Sequence, residues 1–208
     1  MPAPTPVPRP KPRRGPTVPP VSAAARADGL VDVRTVVPDA IIDLRYATPG
    51  NFTHVRLYPV GARCLVHRSM AAGLRIAADR LRSRGLRLVF WDCYRPHAVQ
   101  VRMFRVVPDP VFVARPRPYA RSHEAGRSVD VTLARGSTRL AMGTGFDDFS
   151  ARAAAFATDG VSATARADRA TLRHAMAAGG LTVYAGEWWH FDGPGSNVPR
   201  PYLRAAVS

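Results

Sequence analysis

Long apolar runs are missing from this sequence. No stretch approaches the roughly 20 residues that a membrane-spanning helix needs, which excludes a helical transmembrane protein. Lysine is nearly absent too. Lys11 is the only one among 30 basic residues, and only 15 acids oppose them, so the net charge of +15 rests on arginine. The arginines are scattered over the whole chain, without the basic stripe and interleaved aromatics of a nucleic-acid binder, so no nucleic-acid partner is expected. They read as arginines on solvated faces, with loose attraction to an anionic surface such as cell wall or phospholipid as the alternative. There are only two cysteines, Cys64 and Cys93, too few for a disulfide framework and without CxxC spacing. Two readings stay open for them: small apolar core residues, or a pair joined in an oxidising compartment.

What is present suits one domain. The 208 residues are 46% hydrophobic, enough to bury a core. Residues 1–20 hold nine of the 20 prolines, mixed with Arg9, Lys11, Arg13 and Arg14. That composition predicts an extended leader over residues 1–29, with the folded domain at 30–208. The leader has no apolar segment of the secretory kind, so the cytoplasm is the default location; a periplasmic or exported protein is the alternative.

Within the domain helices and strands are mixed. Val36 to Tyr46 reads as a strand region, Ser69 to Arg84 as a helix stopped by Gly85, and Leu86 to Cys93 as a central strand. Pro96 opens a helix to about residue 107, and the proline-rich stretch 108–118 must be a loop. Ser128 to Leu133, Leu181 to Tyr184 and Trp188 to Phe191 read as strands. Ser162 caps a helix ending at Gly179-Gly180. The sum is an α+β domain, helices packed on a small, mostly antiparallel sheet.

Two segments carry chemistry: Ser122-His123-Glu124-Ala125-Gly126-Arg127-Ser128-Val129-Asp130, and Glu187-Trp188-Trp189-His190. A catalytic zinc takes three protein ligands and leaves a fourth position open. His123 and Asp130, separated by a turn-permitting glycine, can converge on one point, with His190 arriving from a neighbouring strand. Glu187, three residues earlier, can then stand beside the metal as a general base. The HExxH spacing of helical zinc proteases is absent. His54, His67, His97 and His174 have no partner at metal spacing and read as surface or packing residues. Trp188 and Trp189 read as packing for the sheet.

These segments resemble the two zinc motifs of the VanX-type D-alanyl-D-alanine dipeptidases, Ser-His-x-x-Gly-x-Ser-x-Asp and Glu-Trp-Trp-His. Three further segments match in order: Asp43-Leu44-Arg45-Tyr46-Ala47-Thr48 with Asn51-Phe52, Asp92-Cys93-Tyr94-Arg95-Pro96, and Met142-Gly143-Thr144-Gly145-Phe146-Asp147. The resemblance implies the fold shared by zinc D,D-carboxypeptidases and the hedgehog signalling domain. It implies one Zn2+ held by His123, Asp130 and His190, Glu187 as base and acid, and Arg95 facing the oxyanion. Asp147 would receive the substrate ammonium, and Tyr46 and Ser122 would lie near the pocket. The implied substrate is D-alanyl-D-alanine, cleaved to two D-alanines in cell-wall dipeptide turnover. The alternatives are a D,D-carboxypeptidase acting on longer peptides, and a non-catalytic zinc-stabilised binding module. Two departures bear on substrate choice: the short proline-rich stretch between Arg95 and His123, and Arg121, where a small residue is common.

Overall fold

Two strands buried on both faces organise the molecule. The computed structural model describes residues 17–208, and the expected leader's first sixteen residues lie outside that range. In chain order the elements are α1 (Ala23–Ala27), β1 (Leu30–Asp32), β2 (Ile41–Ile42), β3 (Leu65–His67), α2 (Ala71–Arg82), β4 (Leu86–Asp92) and α3 (His97–Val106). They continue with β5 (Ser128–Arg135), β6 (Thr138–Arg139), α4 (Ala163–Ala178), β7 (Thr182–Val183) and β8 (His190–Asp192). The main sheet runs β2-β4-β5-β8-β7, with β6 beside β5; only the β2–β4 pair is parallel. β1 and β3 form a separate antiparallel pair. The α+β architecture and the mostly antiparallel sheet are as the sequence predicts.

Strand β4 reads as a nearly continuous apolar run, β5 alternates Val129, Val131 and Leu133 with Ser128, Asp130 and Thr132, and almost every residue in both is buried. Burial on both faces is what a run like that of β4 requires. Helix α2 turns Leu74, Ala77, Ala78 and Leu81 inward, and α4 turns Ala165, Leu172, Ala175 and Met176, the helical spacing that gives each one apolar face. The Ser162 side chain caps α4 by accepting from the Ala165 amide at 3.2 Å, satisfying one of the helix's free N–H groups. The expected strand over 36–46 shrinks to Ile41–Ile42, because one-turn 3-10 helices at Val33–Thr35 and Arg45–Ala47 take the chain on either side. Residues 17–29, within the expected leader, pack against the body. Ala25 is fully buried, and the carbonyls of Pro19 and Pro20 accept from Arg63 at 2.7 and 3.0 Å.

Of the two readings of the cysteines, the structure takes the pair. Cys64 and Cys93 are disulfide-bonded and both buried, joining the segment before β3 to the end of β4. Closing a loop of this length in the unfolded chain is worth roughly 3–4 kcal/mol in the chain-entropy view. The Cys64→Ala/Cys93→Ala double variant is therefore expected to lose about 3 kcal/mol of unfolding free energy. Urea denaturation checks this, and an unchanged midpoint would refute it.

Candidate metal centre and pocket

Sheet register assembles the site. Asp130 stands opposite His190 across β5 and β8, and opposite Asp92 across β5 and β4, so the three lie in one row over three neighbouring strands. An irregularity in β4 between Phe90 and Asp92 shifts the pairing and aims Asp92 into that row. One step along, Ser128 faces Asp192 in the same register. His123 comes from the one-turn 3-10 helix Ser122–Ala125, which ends on Gly126 at φ +64°. A Cβ there would sit 2.7 Å from Leu30 Cδ2, so only glycine lets the chain turn into β5 at this point.

His123 Nε2, His190 Nδ1 and Asp130 Oδ1 form a triangle with edges of 3.1, 3.1 and 3.2 Å. The far side of each imidazole is already committed. His123 Nδ1 lies 2.8 Å from the Cys93 carbonyl, which can only accept, so that nitrogen carries the proton. His190 Nε2 lies 3.3 Å from Asp192 Oδ1. Burial works against the Asp192 anion, but His190 and the Ser128 hydroxyl outweigh it and hold its pKa down to about 2, so Asp192 is ionised and accepts. Two nitrogen lone pairs and a carboxylate oxygen thus face one another. That arrangement calls for a cation. A tetrahedral ion with bonds of about 2.0–2.1 Å sets its ligands roughly 3.3 Å apart, so the triangle fits a metal. In a metal-free cluster a proton does the work: burial disfavours the His190 imidazolium, but Asp130 and Asp192 push its pKa up to about 10.

Around this triangle stand the other expected residues. Glu187 Oε2 is 3.9 Å from His190 Nδ1, near the cluster without joining the triangle. Burial, only partly offset by His190, raises its pKa to about 7, the range in which a carboxyl exchanges protons at neutral pH. Arg95 is buried. Its Nε and Nη2 donate to Asp92 Oδ2 at 2.9 and 2.6 Å, its Nη1 donates to Gln100 Oε1 at 2.7 Å, and Nη2 is 3.8 Å from Asp130 Oδ2. The Tyr58 hydroxyl donates to the other Asp92 oxygen at 2.5 Å, so the carboxylate that holds Arg95 is itself held. Asp147 accepts from the Tyr46 hydroxyl at 3.0 Å and takes a positive φ of 55°, a strained backbone for a non-glycine residue. Burial and the negative charges of Asp130 and Glu187 push its carboxyl well above the usual range, with Arg95 and the Tyr46 bond only partly opposing them, and it makes no ion pair among the described residues. Ser122, also at positive φ, lines the cavity, yet its hydroxyl donates to Ser128 at 2.9 Å and Ser128 donates to Asp192, which places it in the chain behind His190.

All eight expected residues line or border one cavity of about 430 Å³, together with Arg115, Arg117, Arg121, Phe52, Phe112 and Phe149. His54 and His174 are exposed, His67 bonds Ser69 and Arg127, and His97 pairs with Glu124 at 2.6 Å; none enters the triangle. Trp188 and Trp189 are buried. The supporting carboxylates Asp92 and Asp192 were not singled out from sequence. The signal for Asp192 was there: two residues beyond His190 in a strand lies on the same face.

Three ligand-type atoms that could hold a metal ion, beside a buried carboxyl and a buried guanidinium on a mostly antiparallel sheet, suit a metal-dependent hydrolase better than a structural zinc site, which closes all four positions with protein. Comparison with known proteins then narrows the class. The family profile described as D-ala-D-ala dipeptidase matches residues 26–208, and the chain belongs to that family of peptidases. It is 34% identical over 166 residues to a D-alanyl-D-alanine dipeptidase of Escherichia coli, covering 79% of this chain and 84% of that one. A Streptomyces coelicolor protein of the same name is 36% identical over 169 residues (72% and 83%), and one of Enterococcus faecalis 29% over 187 residues (80% and 92%).

Proposed function

We propose that this chain is a zinc-dependent dipeptidase that hydrolyses D-alanyl-D-alanine to two D-alanines in the turnover of cell-wall dipeptide. The observation that supports the reading is the triangle of three lone-pair donors, its two imidazoles each oriented from behind by a second polar group. Two imidazoles and one carboxylate suit zinc, whose preferred tetrahedral set they supply with one position left over. A zinc ion bound by His123, Asp130 and His190 would polarise the scissile carbonyl and make the attacking water more acidic.

The chain's own groups do the rest. Asp147, raised in pKa and hydrogen-bonded to Tyr46, takes the substrate ammonium as its ion-pair partner. Glu187 accepts a proton from water as the water oxygen bonds to the carbonyl carbon. Arg95 faces the negative charge that develops on the carbonyl oxygen. Glu187 then passes its proton to the leaving nitrogen as the carbon–nitrogen bond breaks, and two free amino acids result. Glu187 must be ionised to begin, so kcat/KM is expected to rise with pH through an acid limb. With a cation beside it, the midpoint falls at or below about 7. A pH–rate profile checks this; activity that falls as pH rises from 5 to 7 would refute it.

One observation favours the second reading, a D,D-carboxypeptidase. The cavity, about 430 Å³ with arginines and exposed aromatics at its mouth, offers more room than a dipeptide fills. Assay of free and N-acetylated D-Ala-D-Ala, with and without chelator, separates the cases. The dipeptidase cleaves only the free amine, the carboxypeptidase accepts the blocked one, and a binding module cleaves neither. The buried Cys64–Cys93 bond supports an oxidising location, which free-thiol titration of the denatured native protein tests.

A further inference from the structure

Arg169, in the middle of α4, is 1% exposed and makes no ion pair among the described residues. Its donors go to main-chain carbonyls. Nε reaches Met142 O at 2.7 Å, and Nη1 reaches Arg152 O and Ala154 O at 2.9 and 3.1 Å, while Nη2 has no partner among the described residues. The guanidinium carbon lies 5.5 Å from the centre of the Trp188 ring. Burying a guanidinium without a carboxylate is costly, and an apolar side chain of similar size would fill the space at less cost. Its retention asks what those carbonyls belong to.

One belongs to the stretch that ends at Asp147; the other two flank Ala153, which is hydrogen-bonded to the stretch that carries Glu187. Met142 begins the segment that ends at Asp147. Ala153, between the other two acceptors, takes the Trp188 amide proton at 3.0 Å, and Trp188 follows Glu187 directly. Trp188 closes the circuit by donating its indole N–H to Thr144 Oγ1 at 2.7 Å. No strand or helix runs through residues 141–150 or 184–189. Among the described residues 141–149 make no hydrogen bond between main-chain groups, whereas 184–189 is held by Val131 N–H to Trp189 O and Ala155 N–H to Ala185 O, both at 2.9 Å. Gly143, at φ +88°, lies so close to α4 that a Cβ would meet Val161, Ala165 and Arg169 at 3.0, 3.3 and 3.4 Å. The planar fork of an arginine can serve several carbonyls of fixed direction at once; a lysine ammonium lacks that geometry.

We propose that Arg169 is a positioning residue: by tying the Asp147 stretch directly, and the Glu187 stretch through the Ala153 segment, to one helix, it sets the distance between the carboxylate that receives the substrate amine and the base. This rests on the dipeptidase reading for the roles of Asp147 and Glu187, but the tie itself does not. Of the three expected ligands, His123 and Asp130 sit on other elements and His190 is paired with Asp130 in β8, so Arg169 is expected to act on substrate alignment with the metal still bound.

The test uses Arg169→Lys, Arg169→Met and Thr144→Val, the last cutting only the indole bond. Segment-resolved amide hydrogen exchange, metal stoichiometry and steady-state kinetics are measured on each. Faster exchange is expected in 142–148 and 185–189, with β4 and β5 still protected and one metal bound per chain. For both Arg169 variants KM for D-Ala-D-Ala should rise about 10-fold or more, with reduced kcat and a weaker preference for the free over the N-acetylated substrate. Thr144→Val should shift the same quantities less. Folded variants with a lower melting temperature but wild-type KM, kcat and preference would overturn the proposal, leaving Arg169 a packing residue. Should Arg169→Met not fold, the other two variants decide. Should the wild type cleave neither substrate, the dipeptidase reading fails, and unchanged exchange in the two stretches would then overturn the tie as well.

Discussion

Glu187→Gln is expected to lower kcat by roughly 10²–10⁴-fold while the protein still binds one metal per chain. The substitution keeps the shape of the side chain and removes only its ability to carry a proton. Because Glu187 lies 3.9 Å from His190 Nδ1, outside the triangle, its loss leaves the three ligand atoms and their supporting bonds in place. Glu187→Ala should behave alike. Metal analysis and turnover measured on the same sample separate this from a ligand change, in which both would fall together. Retained turnover would remove Glu187 as the base and leave the acid limb of the pH profile without its group.

The second large effect belongs to Arg95. Arg95→Met is expected to cost about 10²–10³-fold in kcat, the usual loss when one donor to a developing oxyanion is removed. It should also destabilise the fold, because Asp92 is fully buried and Arg95 supplies two of its hydrogen bonds. Removing one partner of a buried pair typically costs about 3–5 kcal/mol. Arg95→Lys keeps the charge but cannot reach Asp92 and Gln100 together, so it should restore part of the stability and little of the rate. A wild-type rate in a folded Arg95→Met would exclude the oxyanion role and reduce Arg95 to a strut.

Much of the site was legible because its residues come in short runs. The expected ligands His123 and Asp130 flank one turn, and Glu187 and His190 share four consecutive residues, so order along the chain carries the pattern. Helix α2 is legible from apolar spacing, and α4 from the Ser162 cap and the glycines that end it. Other features depend on pairing between distant segments, which local patterning does not encode. The strand over 36–46 was overdrawn because Ile41 and Ile42 look like the middle of a longer strand, while their neighbours prefer one-turn helices. β1 and β3 pair across more than 30 residues and escaped notice. Asp92 reads as part of a turn motif until the fold shows it gripping Arg95, and the cysteines offered no sign of which reading holds until their segments met. Arg169 is one arginine among many in a chain full of them, and only its burial sets it apart.

The row of Asp92, Asp130 and His190 across three hydrogen-bonded strands has a consequence for how such a protein can change over time. Those positions cannot drift without disturbing the most deeply buried part of the molecule, whereas the cavity mouth is built from the proline-rich stretch and other segments free of the sheet. Substitutions around the cavity mouth can therefore alter which molecules enter and how they lie at little cost to the fold, whereas substitutions in the row disturb its core.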